Sequence, residues 1–363
     1  MEARLNNLTQ ALKKHSIDSV FMTSKENVFY FTNLYAEAHE RLIGAYMDQK
    51  GNRILIAPAL EKEDVKNAGW NGELITYFDH ENPWDKLSSF IKDIGHPQSM
   101  AIEKEDLNVL NYETLKNQFP KTEMVNGQHF LNELRLIKDH HEMKILKEAA
   151  QYADFGIETA LKHIQAGKTE LDIIAEIEYA MKKEGIRDMS FGTTVLTGKK
   201  SAAPHGNPDL TPIQKSDFVL MDLGVVHKGY CSDITRTVVF GEASEQQKGI
   251  YHTVLQAEQK AIEACQVGTR LGDIDQVARQ VIKDAGYGEY FPHRIGHGLG
   301  INVHEFPSLA SNNDSVLQEG MSFTVEPGIY VPEVGGVRIE DDVFITGDGP
   351  TTLTEFIKEL IEL

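Results

Sequence analysis

The chain has 363 residues, 41% of them hydrophobic, which is enough for two ordinary domain cores. Its 36 basic residues face 55 acidic ones, a formal net charge of −19, which argues against the basic surface that nucleic acid or an anionic membrane requires. The only cysteines, Cys231 and Cys265, form no CxxC pair, so a disulfide framework or thiolate zinc cluster is not expected and a reducing cytoplasm fits.

Residues 1–8 read as the start of an amphipathic helix rather than a signal peptide, and no apolar run approaches membrane-spanning length. Helical stretches then alternate with short apolar strands at 19–22, 53–56 and 100–102, the pattern of a small α/β domain. This part carries no concentrated chemical motif, and His39, Glu40 and Arg41 read as solvated loop groups. We expect one domain over 1–130 and a second over 131–363, with the boundary falling near Gln128 to Arg135. Beyond it Asp139 can cap a long helix, with Glu142 at the reciprocal position, running to about Gln165 before Gly167.

The second part contains an internal duplication. Gln165, Gly167, Asp172, Ile173 and Gly185 recur as Gln266, Gly268, Asp273, Ile274 and Gly286, all at the offset that separates Gly167 from Gly268. Each half reads helix, tight turn, helix, glycine stop, then strands, with Thr169 and Ser244 as N-caps and Gly185 and Gly286 as terminators. An offset this long is too large for a solenoid and implies two similar lobes around a shared site.

Each lobe contributes a pair of carboxylates. The apolar run 218–221 delivers Asp222 at the end of a buried strand, and reflecting Asp222 onto Asp233 puts a turn between His227 and Lys228, just before Gly229. On the return strand Asp233 and Thr235 share a face, so the threonine hydroxyl can support a metal site. Likewise 321–325 ends in Glu326, and reflection onto Glu340 centres a turn near Glu333, beside Gly335 and Gly336. Arg338, Glu340 and Asp342 share one face there, and periodicity neither chooses between Glu340 and Asp342 as the inward acid nor wholly excludes Asp341. Between the hairpins lie His293, His297 and His304, in a segment that Gly296, Gly298 and Gly300 make a shaped loop rather than a helix. His205, in the run Pro204-His205-Gly206, is a fourth histidine before the first hairpin. Four carboxylates so placed repel one another unless cations sit between them, which points to a two-metal hydrolase. An oxygen-rich set with one imidazole suits fairly hard divalent ions such as Mn²⁺ better than a tetrahedral structural zinc.

These motifs, taken in order, resemble the pita-bread metallopeptidases, which include methionine aminopeptidases, Xaa-Pro aminopeptidases and Xaa-Pro dipeptidases (prolidases). The resemblance runs through Pro204-His205-Gly206, Met221-Asp222-Leu223-Gly224, Ser232-Asp233-Ile234-Thr235-Arg236-Thr237, the stretch from His293 to Gly300, Val303-His304-Glu305, Val325-Glu326-Pro327-Gly328 and Val337-Arg338-Ile339-Glu340. It is strong over about 130–363 and weaker before. It implies an N-terminal creatinase/prolidase-like α/β domain followed by a pseudo-symmetric pita-bread catalytic domain with a curved antiparallel sheet. It also implies that Asp222, Asp233, His297, Glu326 and Glu340 hold two divalent ions, with Asp233 and Glu340 bridging. His205, His293 and His304 would then position substrate and stabilise the reacting carbonyl, while Arg338 orients carboxylates.

The histidine segment looks most like that of bacterial prolidases. Ser308 departs from the arginine that some prolidases place there, a group linked to the substrate carboxylate, which leaves His293 or a basic group from elsewhere for that task. The expected activity is hydrolysis of Xaa-Pro dipeptides through a hydroxide shared by two ions, most simply Mn²⁺ with Co²⁺ or Zn²⁺ as alternatives, with Glu326 carrying the proton. The chain would be a cytoplasmic homodimer whose substrate is a small proline-containing peptide. The alternatives are an Xaa-Pro aminopeptidase acting on longer peptides and, more remotely, a non-catalytic binding protein.

Overall fold

The computed structural model describes residues 1–363, which divide into two compact units, Met1–Arg135 and Leu136–Leu363. In the first, a six-stranded sheet runs in the order Glu73–Tyr77, Arg53–Pro58, Gly44–Asp48, Ser19–Met22, Ser99–Ile102, Glu123–Asn126. The sheet is mixed, with Gly44–Asp48 antiparallel to both neighbours and the other pairings parallel, and its inner strands are apolar runs. Phe21, Tyr46, Ile54, Ile56 and Met100 pack there against Trp84, Leu87, Ile91, Leu115 and Phe119. The unit extends past residue 130 to Arg135, one residue short of the end of the helix Gln128–Leu136. That helix is held by Tyr30, whose hydroxyl donates to the Leu134 carbonyl at 2.7 Å, and by Arg135, which donates to Asn27 Oδ1 at 3.2 Å.

The second unit bears out the helix punctuation. Asp139 and Glu142 form a reciprocal capping box on the helix His140–His163, Thr169 and Asp172 another on Glu170–Lys183, and Ser244 and Gln247 a third on Glu245–Ala264. Each such cap contributes about 1 kcal/mol. The fourth helix, Leu271–Asp284, breaks the repeat: its N-cap is Arg270, which makes no side-chain cap and instead pairs with Asp273 at 2.9 Å. Gly185 and Gly286 terminate their helices at the same positive φ of 86°.

Each helix pair seals its own core. Ala153, Ile157, Ile173 and Ile177 pack onto Val219, Met221, Leu223 and Val238 of the first lobe. Ile250, Val254, Ile274 and Ala278 pack onto Val325, Ile329, Val337 and Val343 of the second. The strands beneath are antiparallel throughout, with Asp217–Leu223 between Thr194–Thr197 and Ile234–Phe240, and Ser322–Val325 between His297–Gly298 and Asp341–Thr346. Both active hairpins therefore lie on the inner faces of strands whose backs are held by helices.

The two hairpins differ in how far local pattern predicts their register. In the second, Gly328 pairs with Arg338 and Val325 with Asp341 in two separate ladders that share one register, which places Glu326 opposite Glu340 as expected. In the first, the expectation that Asp222 faces Asp233 is corrected. Asp222 pairs with Thr235, because the turn residues are Lys228 and Gly229, at φ 50° and 84°. A two-residue turn of that handedness needs positive φ at both central positions, so its centre moves one residue along and the register slips by two. Asp233 is left diagonal to Asp222 on the same face, still within reach.

Candidate metal centre

Nine side chains singled out from the sequence, His205, Asp222, Asp233, His293, His297, His304, Glu326, Arg338 and Glu340, line one cavity of about 440 Å³. Its heart is Asp233, His297 and Glu340, whose ligand atoms all lie within 4.8 Å of one another. His297 Nε2 stands 3.7 Å from Asp233 Oδ2 and 3.6 Å from Glu326 Oε1. An isolated bridge pairs Thr235 with Glu340 and so joins the hairpins of the two lobes. Across it Thr235 Oγ1 donates to Glu340 Oε2 at 2.6 Å and accepts from Arg338 Nε at 2.9 Å, while Arg338 Nη2 closes tightly on Asp222 Oδ2.

The glycines of the histidine segment have a steric reason. A Cβ on Gly296 would lie 1.8 Å from the Thr324 carbonyl oxygen, so only glycine lets His297 approach the strand that ends in Glu326. The segment there is a two-residue strand, His297–Gly298, and not a helix.

Electrostatically the site is overloaded with acid. Burial, then Glu340, Asp222, Asp342 and Glu326 in turn, push the Asp233 carboxyl well above its ordinary range. Burial and the neighbouring Glu326 and Asp222 do the same to Glu340, and burial lifts Glu326 to about 7 against the pull of Arg338. Burial and the adjacent His304 lower His297 to about 3, so its imidazole is neutral at pH 7 and able to act as a ligand. Buried oxygens Asp222 Oδ1 and Asp233 Oδ1 have no hydrogen-bond partner. Two unpaired buried oxygens from the first hairpin, with the carboxylates of Glu326 and Glu340 from the second beside a neutral imidazole, are the donor set of a hard divalent cation, and these residues fit such an ion.

Asp342, the alternative to Glu340, is also buried, but its Oδ2 accepts from the Asp233 main-chain N–H at 3.1 Å and it does not line the cavity. Neighbouring Asp341 faces the other way, toward Arg236. His205 and His304 are exposed at the cavity wall, the His304 ring 4.2 Å from that of His297.

Both nitrogens of His293 are engaged. Nδ1 lies 2.8 Å from the Arg294 carbonyl oxygen, and Nε2 lies 2.9 Å from the Tyr330 hydroxyl. Arg338 Nη1 donates to that same hydroxyl at 3.0 Å, so the tyrosine proton goes to His293 Nε2. Burial lowers His293 to about 4, which keeps the ring neutral. Tyr330 was missed from the sequence, although strand alternation puts it on the face of Glu326 and Gly328. Arg294 was missed as well. It is exposed at the cavity wall, and its Nη1 donates to Ser308 Oγ at 3.1 Å.

Set beside known proteins, residues 144–347 match the profile of metallopeptidase family M24, and residues 4–137 match that of the creatinase/prolidase N-terminal domain. The chain belongs to metallopeptidase family M24. It is a hydrolase with the pita-bread catalytic fold expected from the motifs. Among its relatives, a Bacillus subtilis protein provisionally named as the dipeptidase YkvY is 49% identical over 361 residues, covering 99% of each chain. A solved Xaa-Pro dipeptidase from Bacillus anthracis is 36% identical, with a TM-score of 0.94, covering 100% of this chain and 99% of its own. The X-Pro aminopeptidase from Thermotoga maritima is 29% identical, with a TM-score of 0.88, covering 98% and 100% respectively. Shared fold therefore does not separate the two specificities.

Proposed function

We propose that this metallopeptidase hydrolyses Xaa-Pro dipeptides, with Asp222, Asp233, His297, Glu326 and Glu340 holding two divalent ions and Asp233 and Glu340 shared by both. The observation that carries the reading is the gathering of Asp233, Glu340 and His297, with ligand atoms within 4.8 Å of one another, in one cavity with the unpaired buried oxygens of Asp222 and Asp233. Mn²⁺ suits the oxygen-rich set best, with Co²⁺ and Zn²⁺ as alternatives. When bound, such ions would polarise the scissile carbonyl and acidify water.

The chain's own groups supply the rest. Glu326 is the proton carrier: its carboxyl holds a proton near neutrality in the metal-free site, and cations beside it would draw that proton off and leave a base. His205 and His304 at the cavity wall donate N–H to the reacting carbonyl. Arg338 fixes Asp222 and, through Thr235, Glu340. The leaving proline nitrogen carries no hydrogen, so the site selects the ring by shape.

Arg294 supports dipeptides over longer peptides. Its guanidinium reaches Ser308, where it can bind a free C-terminal carboxylate, whereas His293 has both nitrogens occupied. An Xaa-Pro aminopeptidase, the second reading, is favoured by the fold shared with the Thermotoga maritima enzyme. A cytosolic homodimer goes with the leading reading, and light scattering that finds only monomer would count against that part.

The deciding experiment reconstitutes the protein with Mn²⁺ and analyses products from Xaa-Pro, Xaa-Pro-Yaa and proline-free dipeptides by mass spectrometry, with Glu326→Gln as control. Cleavage of the Xaa-Pro dipeptide alone is expected. Release of Xaa from Xaa-Pro-Yaa would move the assignment to aminopeptidase, and absence of both metal and cleavage would revive a non-catalytic binding protein. Arg294→Ala should lower kcat/KM for the dipeptide about 10- to 100-fold, the worth of one charge-assisted carboxylate contact, and far less for a C-terminally amidated analogue. Equal losses on both substrates would remove Arg294 from carboxylate recognition.

A further inference from the structure

Outside the cavity lining lies a second charged cluster. Arg236 is among the largest side chains fully sealed in the molecule, 2% exposed against 1% for its partner Asp341. Its Nη1 donates to the Glu340 carbonyl at 2.6 Å and to the Thr235 carbonyl at 3.0 Å, and its Nη2 donates to Asp341 Oδ1 at 2.7 Å and to the Phe356 carbonyl at 2.7 Å. One guanidinium thus pins the main chain of Glu340 to the strand Ile234–Phe240 that follows Asp233 and to the C-terminal segment.

The C-terminal segment returns the contact. Thr354 Oγ1 accepts from the Asp342 N–H at 3.2 Å and donates to Asp341 Oδ1 at 2.7 Å, and Lys358 Nζ reaches Asp341 Oδ2 at 2.6 Å and Glu258 Oε1 at 2.8 Å. Asp342 in turn accepts from the Asp233 N–H at 3.1 Å. The main chain of Glu340 is therefore held by the buried Arg236 guanidinium and that of Asp233 by the buried Asp342 carboxyl, and the C-terminal segment ties those two anchors together.

We infer that the C-terminal segment from Leu353 to Lys358, clamped through Arg236, Asp341 and Asp342, is a strap that sets the spacing of Asp233 and Glu340 and so governs how tightly the centre holds its metal. Arg236, Thr354 and Lys358 are positioning residues, acting on the ions only through Asp233 and Glu340. The inference rests on the reading of those two as shared ligands. Its consequence is that loosening the strap weakens metal retention before it affects substrate binding.

The test titrates apoprotein with Mn²⁺ against a fluorescent chelator for wild type, Arg236→Lys, Thr354→Val, Thr354→Ser and Lys358→Met. Apoprotein melting and, at saturating Mn²⁺, KM for an Xaa-Pro dipeptide are measured alongside. Lysine keeps the charge of Arg236 but cannot span four acceptors. Arg236→Lys should raise the metal dissociation constant at least about ten-fold, the range typical of outer partners of metal ligands, while excess Mn²⁺ restores full loading and KM stays within about two-fold. Thr354→Val should also weaken binding, and Thr354→Ser, which keeps the hydroxyl and loses the methyl group, should return it toward wild type. Metal affinities equal to wild type in every variant, with only the melting temperature lowered, would overturn the inference. If Arg236→Lys does not fold, the valine and serine pair decides. A wild-type chain that binds no metal would instead defeat the ligand reading itself.

Discussion

Glu103 in the N-terminal unit and Asp233 in the catalytic unit are both carboxylates sealed from water, at 1% and 5% exposure, in opposite surroundings. Glu103 is saturated with donors: the N–H groups of Thr23 and Ser24 at 2.6 and 2.9 Å, the Ser24 hydroxyl at 2.5 Å and a close Asn27 amide. Asp233 faces Glu340, Asp222, Asp342 and Glu326, and its Oδ1 has no partner. A buried acid surrounded by donors is part of the architecture: burial still raises the Glu103 carboxyl, but four hydrogen bonds within the fold oppose that rise. A buried acid surrounded by acids is a site, because only a cation from outside can offset its cost of burial.

Mutation should separate the two acids most widely. Asp233→Asn or Glu340→Gln should remove tight metal binding and lower turnover by at least about 10³-fold. In chelator the same variants should melt above chelated wild type, since each relieves repulsion among buried carboxylates. A variant that keeps two ions and full turnover would break the contrast. Glu103→Ala should do the reverse, destabilising the fold by about 2–4 kcal/mol through donors left unpaired, with metal stoichiometry unchanged. Denaturant unfolding and metal analysis on one preparation measure both effects.

The pH dependence of the chelated protein sharpens the comparison. The carboxyls of Asp233 and Glu340 lie well above their ordinary values in the fold, and Glu326 is lifted to about 7 from 4.5. Such groups still hold protons in the fold where the unfolded chain has lost them, so their contribution is full at low pH and is lost as pH rises through the folded values. His293 and His297, lowered to about 4 and about 3, act in the opposite sense only below their ordinary value of 6.5. Above about pH 6.5 these carboxyls, together with the raised Glu258 and Asp342, set the slope, so the chelated melting temperature should fall toward pH 8 while that of the metal-loaded protein stays flatter. A flat chelated profile would show that the charge of these acids is already compensated by protein groups.

The smallest expected effect concerns the periphery of the site. Tyr330→Phe removes the hydroxyl that accepts from Arg338 and donates to His293, and should reduce kcat about ten-fold with metal stoichiometry intact. Unchanged kcat would make Tyr330 packing alone, like the aromatic residues of the N-terminal core.

Much of this protein is legible in its sequence because the relevant physics is local. Capping boxes at Asp139, Thr169 and Ser244 depend on residues three apart. The facing of Glu326 and Glu340 follows from strand alternation about one turn. Gly296 could be read as close backbone approach, since few other tasks require glycine beside a histidine in that setting. Where a local rule had two solutions, the tertiary structure decided. Positive φ at Lys228 and Gly229 moved the first hairpin's register, so that Thr235 rather than Asp233 faces Asp222. Periodicity put Glu340 and Asp342 on one face, but the bond from Thr235, 105 residues away, draws Glu340 into the cavity, while Asp342 bonds the Asp233 main chain. Arg236 and Arg294 carry no signal in their own neighbourhoods: one is buried by a C-terminal segment 120 residues on, and the other meets Ser308 across a folded loop. Hydrophobic period and turn chemistry are set by adjacent residues and survive in the sequence, whereas which charge neutralises which depends on distances that exist only once the two lobes have closed on each other.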